Sequence, residues 1–119
     1  MKIADNPDFW RMLDDMIASH EIVIDRPKDS RHPVFPEYIY PVDYGYLKGT
    51  ASMDGEGIDL WLGSLPEKNL TGLFITVDPI KRDSEIKLLI GCTDDEIALI
   101  DHFFNGYDSM KGLLIRRGE

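Results

Sequence analysis

The spacing of hydrophobic residues predicts one helix near each end of the chain and several short strands between them. Asn6-Pro7-Asp8 combines a capping residue, a proline suited to the first helical position and an acid in the first turn. Thr93-Asp94-Asp95-Glu96 has the pattern of a capping box and opens a second helix that extends to about Phe104. The residues of the first helix that we expect to face the core are Phe9, Met12, Leu13, Met16 and Ile17.

Between these helices, apolar and alternating segments predict strands. The tyrosines of the segment 38–46 recur at even spacings, which indicates a strand with one aromatic face, interrupted near Pro41. The segment 26–37 contains three prolines and several charges and is expected to be an extended loop. Many short strands with short connections favour a mainly β domain with flanking helices, built as a small barrel or curled sheet over residues 1–119. The other predicted strands are 21–25, 58–62, 70–77, 85–90 and 113–117.

Composition and charge narrow the classes of function. The chain has 119 residues, 43% of them hydrophobic, and a net charge of −9. An acidic surface repels phosphate backbones, so we expect no nucleic-acid partner, whereas a small phosphorylated ligand is compatible if divalent cations intervene. We also expect no membrane partner, because no apolar run approaches the roughly 18 residues that a spanning helix needs. Without a secretory signal at the N-terminus, and with one cysteine, a cytoplasmic protein is expected.

The segment 54–60, Asp-Gly-Glu-Gly-Ile-Asp-Leu, is the best candidate for chemistry. In an extended chain, side chains at even separations point the same way, so Asp54 and Glu56 can converge. The glycines allow a sharp turn that can bring Asp59 towards the same point. Three converging carboxylates require a cation, and hard oxygen ligands favour Mg²⁺ or Mn²⁺. The alternative from spacing alone is a solvated hairpin turn, since Asp-Gly is a common turn dipeptide.

Two further groups of residues have a functional and a structural interpretation. Glu85 and Lys87 share one face of a predicted strand, as a metal ligand and a phosphate-binding cation or as a local ion pair at a strand edge. Tyr44 has a hydroxyl that can hydrogen-bond a phosphoryl oxygen, or it is an aromatic core residue with the hydroxyl at the surface. Each structural interpretation is sufficient when its segment is considered alone.

Taken together and in order, these segments resemble the soluble inorganic pyrophosphatases. The segment 40–46, Tyr-Pro-Val-Asp-Tyr-Gly-Tyr, matches the Tyr-Pro-x-x-Tyr-Gly-Tyr pattern of that family, and 54–59 matches its Asp-x-Asp-x-x-Asp triplet with one Glu. The segment 83–90, Asp-Ser-Glu-Ile-Lys-Leu-Leu-Ile, and a late His-Phe-Phe-Asn-Gly-Tyr at 102–107 follow. The resemblance extends from about residue 22 to residue 107.

The resemblance implies a five-stranded barrel of OB-like shape and Mg²⁺-dependent hydrolysis of pyrophosphate or a related phosphoanhydride, with Mn²⁺ as an alternative metal. It implies three catalytic acids, with Glu56 helping to deprotonate the attacking water beside Asp54 and Asp59. Family relatives assemble, so a homo-oligomer is left open. The metal ligands that it implies are Asp25, Asp54, Asp59 and Glu85. The residues that it implies for binding phosphate are Arg31, Tyr44, Lys87 and Tyr107.

The chain departs from the family pattern mainly where cations are expected. Glu replaces the usual Asp at Glu56 and Glu85, and glycine stands at Gly57 where the family has proline. The hairpin that normally carries a lysine and an arginine is nearly deleted, and Asp108 stands where a lysine is expected, with Lys111 as a candidate replacement. A weak or inactive domain that binds a metal–phosphate ligand is therefore the alternative to an active enzyme. An OB-type nucleic-acid binder is the least favoured alternative because of the charge of −9.

Overall fold

Within residues 6–118, two helices and six strands follow the order that the hydrophobic pattern predicts. The computed structural model describes residues 6–118. The helices are α1 (Pro7–Ser19) and α2 (Asp94–Asn105). The strands are β1 (Ile22–Arg26), β2 (Asp43–Leu47), β3 (Ile58–Leu62), β4 (Leu70–Asp78), β5 (Asp83–Ile90) and β6 (Lys111–Arg116).

All six strands belong to one sheet in the order β1-β2-β3-β5-β4-β6. The pairing of β3 with β5 is parallel and the other pairings are antiparallel. The expected mainly β fold with flanking helices is confirmed. The sheet has six strands because the C-terminal segment adds β6 beside β4, beyond the five strands of the expected barrel. Over residues 6–118, neither helix is both long and apolar enough to cross a membrane.

Alternation along the strands gives the sheet two different faces. Leu60 of β3 and Leu88 of β5 are fully buried on one face, in a core that includes Trp10 and Leu13 of α1. Trp61, one residue further along β3, points to the opposite face, as the period of two requires. There it packs in a second core that α2 completes: Tyr40, Val42, Phe74, Leu89, Cys92, Ile97, Ile100 and Phe104.

The helix starts form as predicted, but the buried stripe of α1 is shifted. Asn6 Oδ1 accepts a hydrogen bond from the backbone N–H of Phe9 at 3.2 Å. Phe9 and Met12, expected in the core, are 45% and 64% exposed. Trp10 is buried instead, because the larger indole lies on the stripe that continues to Leu13 and faces the sheet.

The predicted aromatic strand over 38–46 forms only in its second half, and the part before the expected interruption near Pro41 is wrong. Regular pairing begins only at Asp43, and the residues before it form a loop with one isolated bridge between Arg31 and Ile39. The loop crosses the sheet face that α2 covers, where Tyr40 is buried against the ring of Trp61 at a centroid distance of 5.9 Å. Proline at position 41 cannot donate a ladder hydrogen bond, which is consistent with the late start of β2.

Candidate active site

The pairing of β3 with β5 brings Asp59 and Lys87 into direct contact. The two residues are partners in the parallel register. Lys87 Nζ donates hydrogen bonds to Asp59 Oδ2 at 2.5 Å, to the Tyr44 hydroxyl oxygen at 3.0 Å and to Glu85 Oε2 at 3.3 Å. An ammonium group has three N–H donors, so these contacts engage all of them. We refer to Tyr44, Asp59, Glu85 and Lys87 as the lysine cluster.

Burial and mutual contacts shift the pKa values of side chains in the lysine cluster. Glu85 is only 8% exposed, and burial raises the pKa of its carboxyl despite the neighbouring Lys87. Burial would lower the pKa of Lys87, but its contacts with Tyr44 and Asp59 outweigh that effect and raise the pKa. Burial also raises the pKa of the Tyr44 hydroxyl. At neutral pH the cluster therefore contains a charged ammonium beside a neutral tyrosine.

An acidic pocket lies beside the lysine cluster. It has a volume of about 320 Å³ and is lined by Asp25, Tyr46, Glu56, Gly57 and Asp59. Its three carboxylates come from β1, from the turn before β3 and from β3 itself. Asp59 belongs both to this pocket and to the lysine cluster, so the two features are continuous.

The turn before β3 contains Asp54, which is not among the residues that line the acidic pocket. The turn expected at the Asp-Gly dipeptide is present, because Gly55 adopts a φ of +82° and residues 53–56 form a turn and bend. Asp54 Oδ1 accepts hydrogen bonds from the backbone N–H of Glu56 at 2.9 Å and from Ser52 Oγ at 2.8 Å. These bonds lower the pKa of Asp54. Of the predicted acid triplet, only Glu56 and Asp59 therefore line the same pocket.

Gly57 is required by the packing of the acidic pocket. A Cβ atom at this position would lie 2.7 Å from the carbonyl oxygen of Leu47 and 2.7 Å from the ring of Tyr46. The proline expected from the resemblance would meet both groups. Glycine here allows Tyr46 to form one wall of the pocket.

A second pocket, of about 280 Å³, contains both Tyr44 and Lys87. We refer to it as the aromatic pocket. Tyr107, predicted to contact phosphate, also lines it, whereas Arg31 lies outside both pockets and donates to the carbonyl oxygen of Pro36 at 2.9 Å. The lining residues that sequence reasoning did not assign to the site include His32, Phe35, Tyr38, Lys81 and Phe103.

Lys111 does not replace the missing cation. Its ammonium donates to the carbonyl oxygens of Asn105 at 3.1 Å and Tyr107 at 2.8 Å. These are carbonyls at and beyond the C-terminal end of α2, where a cation also interacts favourably with the helix dipole. Of the cations that the sequence predicts to bind phosphate, Lys87 is therefore the one that lines a pocket.

The donor chemistry of the acidic pocket fits a hard divalent cation. Carboxylate oxygens are the ligands that Mg²⁺ and Mn²⁺ prefer, and Asp25, Glu56 and Asp59 present them to one volume. Within residues 6–118, however, no three Asp, Glu, His or Cys side chains converge closely enough to hold a metal ion. The expected ligands Asp54 and Glu85 are instead engaged in the turn and with Lys87. Binding a cation would require the pocket carboxylates to turn towards one another.

Comparison with known proteins supports the fold. No protein-family model matches the chain, and no curated protein matches it significantly. Among solved structures, an inorganic phosphatase from Anaplasma phagocytophilum is similar, with a TM-score of 0.55 and 16% sequence identity. The match covers 80% of this chain and 81% of that one. The chain therefore shares the mainly β fold of that protein, and the likeness concerns the fold alone.

Proposed function

We propose that this chain hydrolyses inorganic pyrophosphate with the help of a divalent cation, Mg²⁺ or Mn²⁺. The observation that carries the proposal is the continuity of the acidic pocket with the lysine cluster through Asp59. Carboxylates that can hold a cation and an ammonium that attracts phosphate are thereby adjacent. The fold shared with an inorganic phosphatase supports the same chemistry.

In this proposal Asp25 and Asp59 hold the cation. When bound, the cation neutralises the charge of pyrophosphate and lowers the pKa of a coordinated water. Glu56 is exposed in the acidic pocket and accepts the proton of the attacking water as a general base. Glu56 lines the pocket, and its carboxylate accepts no hydrogen bond from any of the described residues. It is therefore available for this role.

Lys87 stabilises negative charge on the phosphates as a fixed point charge. Because its three donors are engaged, a phosphate oxygen must exchange with one of them. The Glu85 contact is the longest of the three at 3.3 Å and is the one most readily exchanged. Tyr44 remains beside the ammonium and can hydrogen-bond the same phosphate.

Phosphate release from pyrophosphate in Mg²⁺ and in Mn²⁺ tests the proposal. We expect Asp59→Asn and Glu56→Gln each to reduce kcat/KM by about 100-fold or more, since each removes a group that acts on the reaction. Asp101→Asn is the matched control, because Asp101 is exposed on α2 and lines neither pocket. Metal-dependent turnover no higher than that of Asp59→Asn would sink the proposal.

The second candidate is a domain that binds a metal–phosphate ligand without turning it over. Full engagement of the Lys87 donors and the position of Asp54 outside the acidic pocket favour it. Calorimetry separates the two functions. Mg²⁺-dependent binding of pyrophosphate without any phosphate release would support the binding domain.

A further inference from the structure

The aromatic pocket has the wrong surface for an inorganic ligand. Its walls are mainly phenylalanine and tyrosine rings: Phe35, Tyr38, Tyr40, Tyr44, Phe103 and Tyr107. Pyrophosphate is small, charged and entirely polar, and it gains nothing from contact with these rings. A lining of aromatic rings with few polar groups is typical of sites for organic molecules. The volume of about 280 Å³ is close to the lower end of the roughly 300–1,000 Å³ range of such sites.

The rings form a continuous and supported wall. Tyr38 meets Tyr107 edge to face at a centroid distance of 4.6 Å, and its hydroxyl is bonded to Ser109 Oγ at 2.9 Å. Tyr40 contacts Tyr44 at 5.3 Å and Phe103 at 5.0 Å. These mutual contacts hold the rings in place, so a ligand does not have to order the walls on binding.

Polar groups at the aromatic pocket suit a heteroaromatic ring better than an aliphatic chain. His32 Nδ1 accepts hydrogen bonds from the backbone N–H groups of Val34 and Phe35, both at 3.1 Å, which assigns the proton of the neutral ring to Nε2. Burial, followed by the charges of Lys81 and Arg26, lowers the pKa of His32 and keeps the ring neutral. Asp78 also lines the pocket; its Oδ1 accepts hydrogen bonds from the backbone N–H groups of Ile80 and Lys81, which leaves Oδ2 as an acceptor. Donors and acceptors of this kind match the edge of a nucleobase.

Lys87 puts a positive charge where the aromatic pocket meets the acidic pocket. Lys87 lines the aromatic pocket and also contacts Asp59 of the acidic pocket. Lys81 adds a second positive charge to the aromatic pocket. A molecule with its ring against the aromatic wall therefore has its phosphates directed to the site of the proposed hydrolysis. The net charge of −9 disfavours a nucleic-acid polymer as the ligand.

We propose that the aromatic pocket binds the base of a nucleoside diphosphate or triphosphate, with the phosphates at Lys87. This inference rests on the proposed function for the phosphate end of the ligand and adds the substrate class. Bases stack on aromatic side chains whatever their identity, so the site accepts the nucleotide class and discriminates mainly against ligands without a ring. The organic phosphoanhydride is then preferred to inorganic pyrophosphate.

Calorimetry on the full chain with non-hydrolysable ligands tests the inference without relying on turnover. The probes are α,β-methylene-ADP, methylenediphosphonate and the dimethylallyl ester of methylenediphosphonate, each in Mg²⁺ buffer. We expect α,β-methylene-ADP to bind about tenfold more tightly than methylenediphosphonate, because only the former has a base to stack. Equal affinities, no binding of α,β-methylene-ADP, or tighter binding of the dimethylallyl ester would overturn the assignment.

Two variants connect the affinity to the pocket. Phe35→Ala should weaken α,β-methylene-ADP binding about fivefold, since Phe35 lines the aromatic pocket. Phe9→Ala is the matched control, because Phe9 on α1 is 45% exposed against 49% for Phe35 and lies away from the pocket. An equal effect of both variants contradicts the inference. Phe35-dependent nucleotide binding without pyrophosphate hydrolysis would support the inference while refuting the proposed function, and hydrolysis without nucleotide binding would do the reverse.

Discussion

The acidic pocket and the aromatic pocket share the lysine cluster but are built from different parts of the chain. The acidic pocket depends on strand register: Asp59 lies beside Tyr46 of β2 and beside Lys87 of β5 in the sheet ladders. The aromatic pocket depends on the packing of the loop before β2 against α2 and the segment that follows it. The difference shows how one sheet can hold a charged cluster in a fixed register while irregular segments around it form a second, aromatic pocket.

The largest expected effect comes from removing the cation that both pockets share. Lys87→Met leaves the carboxylates of Asp59 and Glu85 side by side without their ammonium, and Glu85 is buried. Breaking a buried ion pair in this way should lower the free energy of unfolding by about 3 kcal/mol, measured by urea denaturation. Adding Glu85→Gln should recover part of the loss, because it removes one of the unpaired charges.

The matched control for that measurement is Lys81→Met. Lys81 also lines the aromatic pocket but is exposed, and it has no ion pair with any other residue in the part of the chain that the structure describes. Its replacement should change the free energy of unfolding by less than about 0.5 kcal/mol. If both variants are equally stable, the two pockets do not share a buried electrostatic centre.

A smaller loss of stability is expected from a substitution at the N-terminus of α2, which should affect the aromatic pocket and not the acidic pocket. Glu96 accepts hydrogen bonds from the backbone N–H of Thr93 at 2.8 Å and from that of Ser64 at 3.1 Å. Glu96→Ala should therefore cost about 1 kcal/mol and loosen α2, which carries Phe103 and Phe104 to the aromatic pocket. Hydrogen exchange should accelerate in α2 and not in β3. Faster exchange in both elements would contradict the view that α2 supports the aromatic pocket alone.

The contribution of Glu96 should depend on pH in a defined direction. Burial opposes its charge, but the hydrogen bonds from Thr93 and Ser64 outweigh that effect and lower its pKa. A carboxyl with a lowered folded-state pKa stabilises the fold above its unfolded pKa of about 4.3 and loses that contribution as the pH falls through the folded value. The difference in free energy of unfolding between the wild type and Glu96→Ala should therefore become smaller in acid. Asp95→Ala, which removes an exposed acid from the same turn, is the matched control for the loss of one negative charge.

Much of the sheet and one half of the candidate site could be predicted from the sequence. The strand at 58–62 was predicted correctly as β3. Period-two alternation also correctly put Glu85 and Lys87 on one face of β5, because a strand fixes the direction of every second side chain. The capping box of α2 was also predicted correctly, since its hydrogen bonds are local. These features need only neighbouring residues to be specified.

The remainder depends on long-range contacts that alternation does not encode. Tyr38 and Tyr40 have even spacing, yet they lie in a loop whose path is set by contacts with Tyr107 and Trp61. Phe9 is exposed because a neighbouring side of α1 meets the sheet. The helical period alone does not determine whether position 9 or position 10 faces the core. The aromatic pocket forms only when α2 packs against the loop before β2. The sequence of neither segment alone predicts that contact.

The smallest expected effect on stability concerns Asp54 and tests whether the turn before β3 stays as it is. Asn can offer the same side-chain oxygen to the backbone N–H of Glu56 and to Ser52 Oγ, so Asp54→Asn should change the free energy of unfolding by less than about 0.5 kcal/mol. Because Asp54 lies outside the acidic pocket, its replacement should also reduce kcat/KM for pyrophosphate by less than about tenfold, well below the effect at Asp59. Steady-state kinetics in Mg²⁺ on both variants measures the ratio. Equal losses would show that the turn opens during the reaction and brings Asp54 into the acidic pocket. The acids of the turn and of β3 would then act together.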